Sequence, residues 1–418
     1  MKNDMKYPVP ELLVPAGDEE RLHAAVEFGA DAVYLGSTRF GMRSAPQNFE
    51  IDALKTACEY AHANGVKVYL TCNTVPRNSE LDSLPGFIES TAAAGIDAFI
   101  VTDIGVLNII KQHAPHVDIH ISTQAGITNY AAANAFYEMG AKRIVLAREI
   151  SLQEIAEIRA HTPKELEIEC FVHGAMCVSF SGRCLLSNYL TGRDSNRGDC
   201  AQPCRWKYAL CEETRPGKYL PIGEDGEGTY IINSRDMCMI EHIPELYAAG
   251  VSSFKIEGRA KAAYYAAITA NAYRAAIDGF KASGFDPEYH PEQWIVDELR
   301  KISYRDYCTG FFFGDPKDDA NISFKGGYNR EWSVVAVAED YRDGYLYAEQ
   351  RNRFFEGNQV EILEKGKKPF TVTVHGLQNE AGEDIESAPH PTMKLRFRCP
   401  VAVEKGAFIR MCSSEEAN

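Results

Sequence analysis

Long apolar runs are missing from this 418-residue sequence, and none approaches the ~18 residues that span a bilayer. The opening MKNDMKYPVPELLVPAG has neither the apolar core nor the small-residue cleavage site of a secretory signal, so a cytoplasmic location is expected. Positive charge is in deficit. The 44 Lys and Arg against 59 Asp and Glu leave a formal net charge of −15, which argues against a general polyanion binder yet leaves room for a local basic surface. Three hydrolase signatures are also absent: the HExxH zinc helix, the GxSxG elbow and the Asp-Thr/Ser-Gly pair. The first strand-to-helix turn, VPAGDEER, lacks the GxGxxG of a dinucleotide-binding sheet.

What is present is a repeating unit: a short apolar strand, a turn, then an amphipathic helix ending in glycine. In DEERLHAAVEFGA, Asp18 can cap a helix, Leu22, Ala25 and Val26 form its buried stripe, and Gly29 stops it. Candidate strands follow at ELLVPAG, DAVYLG, VKVYLTC, DAFIVTD, DIHISTQ, RIVLARE, LEIECFVHG and SFKIEG. Eight nearly continuous apolar strands separated by helices close most simply into an α/β, TIM-like (β/α)8 barrel, with a doubly wound open sheet as the alternative. The barrel domain is expected over 1–290, with a cysteine-rich insertion over 173–250. A helical connector over 291–324 follows, and 325–418, a series of short β-like runs separated by turn residues, reads as a small C-terminal all-β barrel.

Barrel enzymes place their chemistry after the strand ends. Here those positions carry Asn73, Asp103, Ser122, Thr123, Gln124, Arg148, Glu149, His173, Lys255, Glu257 and Arg259, with Arg39 and Arg43 after the second strand. Several cations in one polar pocket suit a small anionic substrate.

Five of the twelve cysteines lie in CFVHGAMCVSFSGRCLLSNYLTGRDSNRGDCAQPC. Cytosolic thiols stay reduced, and clustered ones more often bind metal than form disulfides. Cys177, Cys184, Cys200 and Cys204 read C-x6-C-x15-C-x3-C, among glycines that let the backbone wrap closely. Four thiolates suit zinc or an iron-sulfur cluster; a single short knuckle in an irregular loop favours the cluster. Cys238 competes with Cys204 as fourth ligand. Scattered Cys58, Cys72, Cys211, Cys308, Cys399 and Cys412 read as apolar fillers. Residues 183–207 carry five cations against two carboxylates, a net charge of +3, and the loop would overhang the barrel mouth.

ELLVPAG, GADAVYLG, ECFVHGAMCVSFSGRCLLS, CAQPCRW, NSRDMC and SFKIEGR together resemble the collagenase-like peptidase family U-32, in its branch of prephenate-dependent tRNA uridine 5-hydroxylation proteins. The resemblance covers nearly the whole chain and implies an enzyme with a 4Fe-4S cluster on Cys177, Cys184, Cys200 and a fourth cysteine, Cys204 or Cys238. It implies prephenate as co-substrate and the wobble uridine of tRNA as the base hydroxylated at C5, without molecular oxygen. On that reading the base leaves the anticodon loop for the mouth, where Phe180 or Trp206 stacks on it. Arg43, Arg148 and Arg183 meet prephenate's carboxylates, with Gln124 and Arg259 beside them, and His173, Glu257 and Lys255 are the candidate catalytic residues. Lys367, Lys368, Arg351 and Arg353 are the expected RNA contacts of the C-terminal barrel. Two alternatives stand beside this: a peptidase, as the family's name implies, and a non-catalytic RNA-binding or scaffold protein.

Overall fold

The computed structural model describes residues 7–41, 48–177, 180, 184–195, 199–203, 206, 210–211, 219–220, 235–314 and 328–412. Two compact units emerge, Met1–Pro291 with Arg305–Gly327, and Glu292–Tyr304 with Tyr328–Asn418.

In the first unit, strands β1 (Glu11–Pro15), β2 (Ala32–Gly36), β3 (Lys67–Cys72), β4 (Ala98–Val101), β5 (Asp118–Ile121), β6 (Arg143–Val145) and β7 (Glu167–Ala175) pair in parallel and in sequence. Three short strands, β8 (Leu210–Cys211), β9 (Tyr219–Leu220) and β10 (Asp236–Cys238), precede β11 (Ser253–Ile256), which pairs in parallel with both β7 and β1. That double pairing closes the eight-stranded barrel expected from the repeating pattern and excludes the open sheet. Helices α1 (Glu19–Glu27), α2 (Ile51–Ala63), α3 (Asn78–Leu81), α4 (Leu84–Ala93), α5 (Ile104–His113), α6 (Tyr130–Glu138) and α7 (Leu152–Ala160) lie between the strands in sequence. After β7 come α8 (Leu186–Thr191), α9 (Ile243–Ala248) and α10 (Ala263–Ala282). Local chemistry explains the boundaries. The Asp18 carboxylate accepts from the Arg21 amide at the start of α1, and Gly29, at φ +106°, carries the chain out of it.

Two features depart from the expected plan. Within the cysteine-rich insertion, β10 returns antiparallel to β7 and pairs in parallel with β12 (Tyr307–Cys308), anchored by the buried Arg305–Asp236 ion pair at 2.6 Å. The segment expected as one helical connector, 291–324, is instead divided: among its described residues Gln293–Glu298 is the helical part (α11), in the second unit, while 305–314 groups with the barrel.

The second unit is a seven-stranded antiparallel sheet in the order β16-β15-β19-β13-β14-β18-β17. Its strands are β13 (Trp332–Arg342), β14 (Tyr345–Gln350), β15 (Gln359–Leu363), β16 (Phe370–Thr373), β17 (His375–Asn379), β18 (Lys394–Arg398) and β19 (Phe408–Cys412). Only Val374 separates the two edge strands along the chain, so the sheet curls into a half-barrel. Its inner face buries Val335, Leu346, Phe354, Ile362, Leu395, Phe397 and Ile409, each such side chain contributing ~1.5–3 kcal/mol of transfer free energy.

No helix among the described residues is long and apolar enough to cross a membrane.

Candidate active site at the barrel mouth

The floor of the site is charged. Arg143 on β6 pairs with Glu11 on β1 at 2.6 Å and with Glu169 on β7 at 2.9 Å, and Lys255 on β11 pairs with the other Glu169 oxygen at 2.7 Å. Since β7 and β11 separate β6 from β1, the Arg143–Glu11 pair must cross the barrel interior. Glu167 also meets Arg143, the Tyr69 hydroxyl donates to Glu11, and the His120 ring packs edge-on against Tyr69 at 4.6 Å. Burial alone would raise the Glu11 carboxyl; Arg143's charge and hydrogen bonds from Arg143 and Tyr69 outweigh it and hold it below the ordinary carboxylate range. His120 is pushed well below the usual imidazole value by burial and by the charges of Arg143 and Lys255.

This places Lys255 under the mouth. Its ammonium is ion-paired, 4% exposed, and lies 4.6 Å from the Tyr34 ring centre and 5.4 Å from that of Phe171. Its ion pair with Glu169 commits it to the charged floor.

Above the floor, Arg259 reaches from the end of β11 to the Thr71 hydroxyl on β3, with 2.8 Å between Nη1 and Oγ1. Glycines make room for that reach. A Cβ on Gly36 would lie 2.3 Å from Arg259 Nη1, one on Gly17 would lie 2.2 Å from the Arg259 carbonyl oxygen, and one on Gly174 would lie 2.4 Å from the Glu257 carbonyl oxygen. The glycines ending VPAG, VYLG and FVHG therefore fit around the IEGR turn. The Glu257 carboxylate lies 3.4 Å from the Tyr34 hydroxyl, which donates to the Ile256 carbonyl oxygen at 3.0 Å. Gln124 accepts from Thr102 at 3.4 Å, and Arg148 donates to the Ala175 carbonyl oxygen at 3.0 Å while facing the Phe171 ring. Arg148 Nε is buried without a hydrogen-bond partner. Tyr34, Thr71 and Thr102 were not anticipated; their signal was a hydroxyl at or near the last position of VYLG, YLTC and IVTD.

His173 sits differently from the expectation of a proton carrier at the opening. A register shift in the β7–β11 pairing precedes it, and its ring lies 5.4–6.0 Å from those of Tyr265, Tyr273 and Tyr307. Burial lowers its pKa to about 3, so the imidazole is neutral. Arg43, Arg183 and Cys204 lie outside the described residues.

The thiol loop begins where β7 ends. Phe180, half exposed, stands with Cε1 3.5 Å from where a Cβ on Gly126 would sit, so the loop reaches the turn that follows β5. Buried Ser187 accepts from the Ala201 amide, and Ser195 donates to the Cys184 carbonyl oxygen. Cys177, Cys184 and Cys200 are partly exposed, and the Gln202 amide donates to Cys200 Sγ at 3.3 Å. Burial pushes the thiols of Cys58, Cys72 and the partly exposed Cys238 up to about 12. Soft, unbridged thiols in one loop suit an iron-sulfur cluster in donor chemistry, although among the described residues no three histidine, cysteine or carboxylate side chains are grouped closely enough to hold a metal ion.

A closed barrel whose carboxyl-end loops bring together arginines, a carboxylate and hydroxyls is the architecture of a barrel enzyme. The chain belongs to peptidase family U32: the profile of that family matches residues 17–322, and that of the peptidase family U32 C-terminal domain matches residues 330–410. It is 36% identical over 393 residues to tRNA hydroxylation protein P1 of Bacillus subtilis, covering 93% of this chain and 92% of that one. It is 34% identical to tRNA hydroxylation protein P of Escherichia coli, covering 91% of each. The 23S rRNA 5-hydroxycytidine C2501 synthase of Escherichia coli is 38% identical over 80% of this chain and 50% of its own length.

Proposed function

We propose that this chain is an RNA hydroxylase acting on tRNA, installing a hydroxyl at C5 of the wobble uridine at the barrel mouth. The observation that carries the reading is the likeness, along more than nine-tenths of both chains, to a tRNA hydroxylation protein. The site supports it. A base swung out of an anticodon loop needs an opening lined by hydrogen-bonding groups and an aromatic beside it, and the mouth offers Gln124, Thr102, Arg259 and the exposed Phe180.

The co-substrate is prephenate, whose two carboxylates call for guanidinium partners. Arg148, half-buried and held by the Ala175 carbonyl, and Arg259, buried and oriented by Thr71, would do that work. Glu257, beside the Tyr34 hydroxyl, is the residue best placed to accept or return a proton. Cys177, Cys184, Cys200 and Cys204 would hold a 4Fe-4S cluster, which when bound supplies Lewis-acid or one-electron chemistry next to the mouth.

Mass spectrometry of digested tRNA tests the proposal. Deleting the gene removes 5-hydroxyuridine-derived nucleosides, and a Cys184→Ala copy does not restore them. An unchanged nucleoside profile on deletion, with peptide cleavage by the purified protein, would overturn it in favour of a peptidase.

A further inference from the structure

The cations expected to meet RNA in the second unit are largely spoken for. Lys367 pairs with Glu364 and Glu404, Arg351 pairs with Glu349, and Arg353 lies against the Phe355 ring. A different surface has the chemistry instead. Along β14 and β18 the side chains alternate, Leu346, Ala348, Leu395 and Phe397 entering the core while Tyr345, Tyr347, Arg396 and Arg398 face outward. Register sets Tyr345 opposite Arg398 and Tyr347 opposite Arg396. Each ring is approached by two guanidiniums: Arg396 and Arg398 at 5.1 and 5.3 Å from Tyr345, Arg342 and Arg396 at 4.2 and 5.7 Å from Tyr347. Arg342 has Asp340 at 3.6 Å; Arg396 donates to Gln378 Oε1 at 2.8 Å and to the Tyr347 hydroxyl at 3.0 Å, both neutral, and neither it nor Arg398 faces a carboxylate within ion-pair distance among the described residues. Two glycines keep relief low beside them, since a Cβ on Gly382 would lie 3.1 Å from Arg396 Nη2 and one on Gly376 would lie 3.5 Å from Arg398 Cγ.

We infer that this outward face of β13, β14, β18 and β17 is a docking surface for unpaired RNA, with Tyr345 and Tyr347 as platforms for bases and Arg342, Arg396 and Arg398 as partners for the phosphates between them. The choice of RNA rests on the function proposed above; the geometry adds where it binds and in which form. Aromatic rings interleaved with guanidiniums on a sheet face suit single strands, whose bases expose their π-faces, whereas a duplex stacks its bases internally. On a chain of net charge −15, arginines without carboxylate partners are a local reversal of sign that a protein core does not require.

The test uses the full-length protein and a short labelled oligouridylate in fluorescence anisotropy, with a duplex of the same length as competitor. Tyr345→Ala weakens binding about ten-fold and Tyr345→Phe does not. Arg398→Gln lowers the slope of log affinity against log salt by about one, while Lys367→Gln leaves it unchanged. Equal competition by the duplex, wild-type binding by the Tyr345→Ala and Arg398→Gln variants, or a changed oligomeric state with unchanged RNA affinity would each overturn the inference. Loss of the hydroxylated nucleoside on gene deletion, together with wild-type binding by these variants, would sink this surface and leave the function standing. Unchanged nucleosides together with weakened binding would do the reverse.

Discussion

Arg259 Nη1 donates to Thr71 Oγ1 at 2.8 Å, joining the end of β11 to a strand three places further round the barrel, and the vacant Cβ position of Gly36 is what the guanidinium occupies. Gly36→Ala therefore collides with the far end of a flexible side chain rather than with backbone. The expected outcome is a protein with a near wild-type melting temperature that fails to restore hydroxylated nucleosides in a deletion strain. Arg259→Lys is expected to behave alike, because an ammonium cannot reproduce the fork of a guanidinium. Full complementation by either variant would show that Arg259 is not part of the site.

Beneath it, Glu169 is the shared partner of Arg143 and Lys255. Glu169→Ala leaves two cations inside the barrel with less compensation, and removing one partner of a buried ion pair costs about 3–5 kcal/mol. Chemical denaturation should register that loss. A change below ~1 kcal/mol, within the range of exposed pairs, would mean that water reaches the network.

His120 gives the fold a pH dependence of known sign. Its folded pKa lies well below the ordinary 6.5, so below that value the unfolded chain binds a proton that the native state refuses. Stability is full above about pH 6.5 and falls as pH drops, by ~1.4 kcal/mol per pH unit for one such proton. His120→Phe should flatten the stability curve between pH 6 and 5 by about that slope. Parallel curves for the two proteins would contradict the assignment.

Much of the barrel was legible because β1 to β7 and β11 are built from apolar, β-branched runs punctuated by glycine, and because capping by Asp18 is local chemistry. The charged floor was not. Glu11, Arg143, Glu169 and Lys255 are single charges set among mostly apolar strand residues, with Glu167 beside Glu169 on β7, and only closure of the barrel turns them toward one another. Strand β10 escaped notice for a related reason: DMC is three residues long, and what holds it is pairing with β7 and the Arg305–Asp236 contact from a distant segment. In the second unit, Lys367 and Arg351 read as positive points; Glu404 becomes a neighbour of Lys367 only in the folded sheet, whereas Glu349 lies two residues from Arg351 and Glu364 three from Lys367.

The ligand question can be decided by iron content. Burial drives the Cys238 thiol up to about 12, against the hydrogen bond with Tyr273 that pulls it down, and so favours a protonated thiol. Anaerobically purified Cys204→Ser is expected to lose iron while Cys238→Ser and Cys58→Ala keep it. Stoichiometric zinc in the wild-type protein would rule out the cluster.

The bond that seals the barrel joins its first strand to its last: the Ser253 hydroxyl donates to Glu11, 242 residues earlier. At ~5–20 residues per second, a ribosome needs roughly 12–50 s to deliver β11 after β1 has emerged. For that interval β1, and β7 once it has been made, lack their β11 partner and Glu11 lacks its tie to it, so the nascent chain is an open, adhesive sheet until synthesis is well past its midpoint.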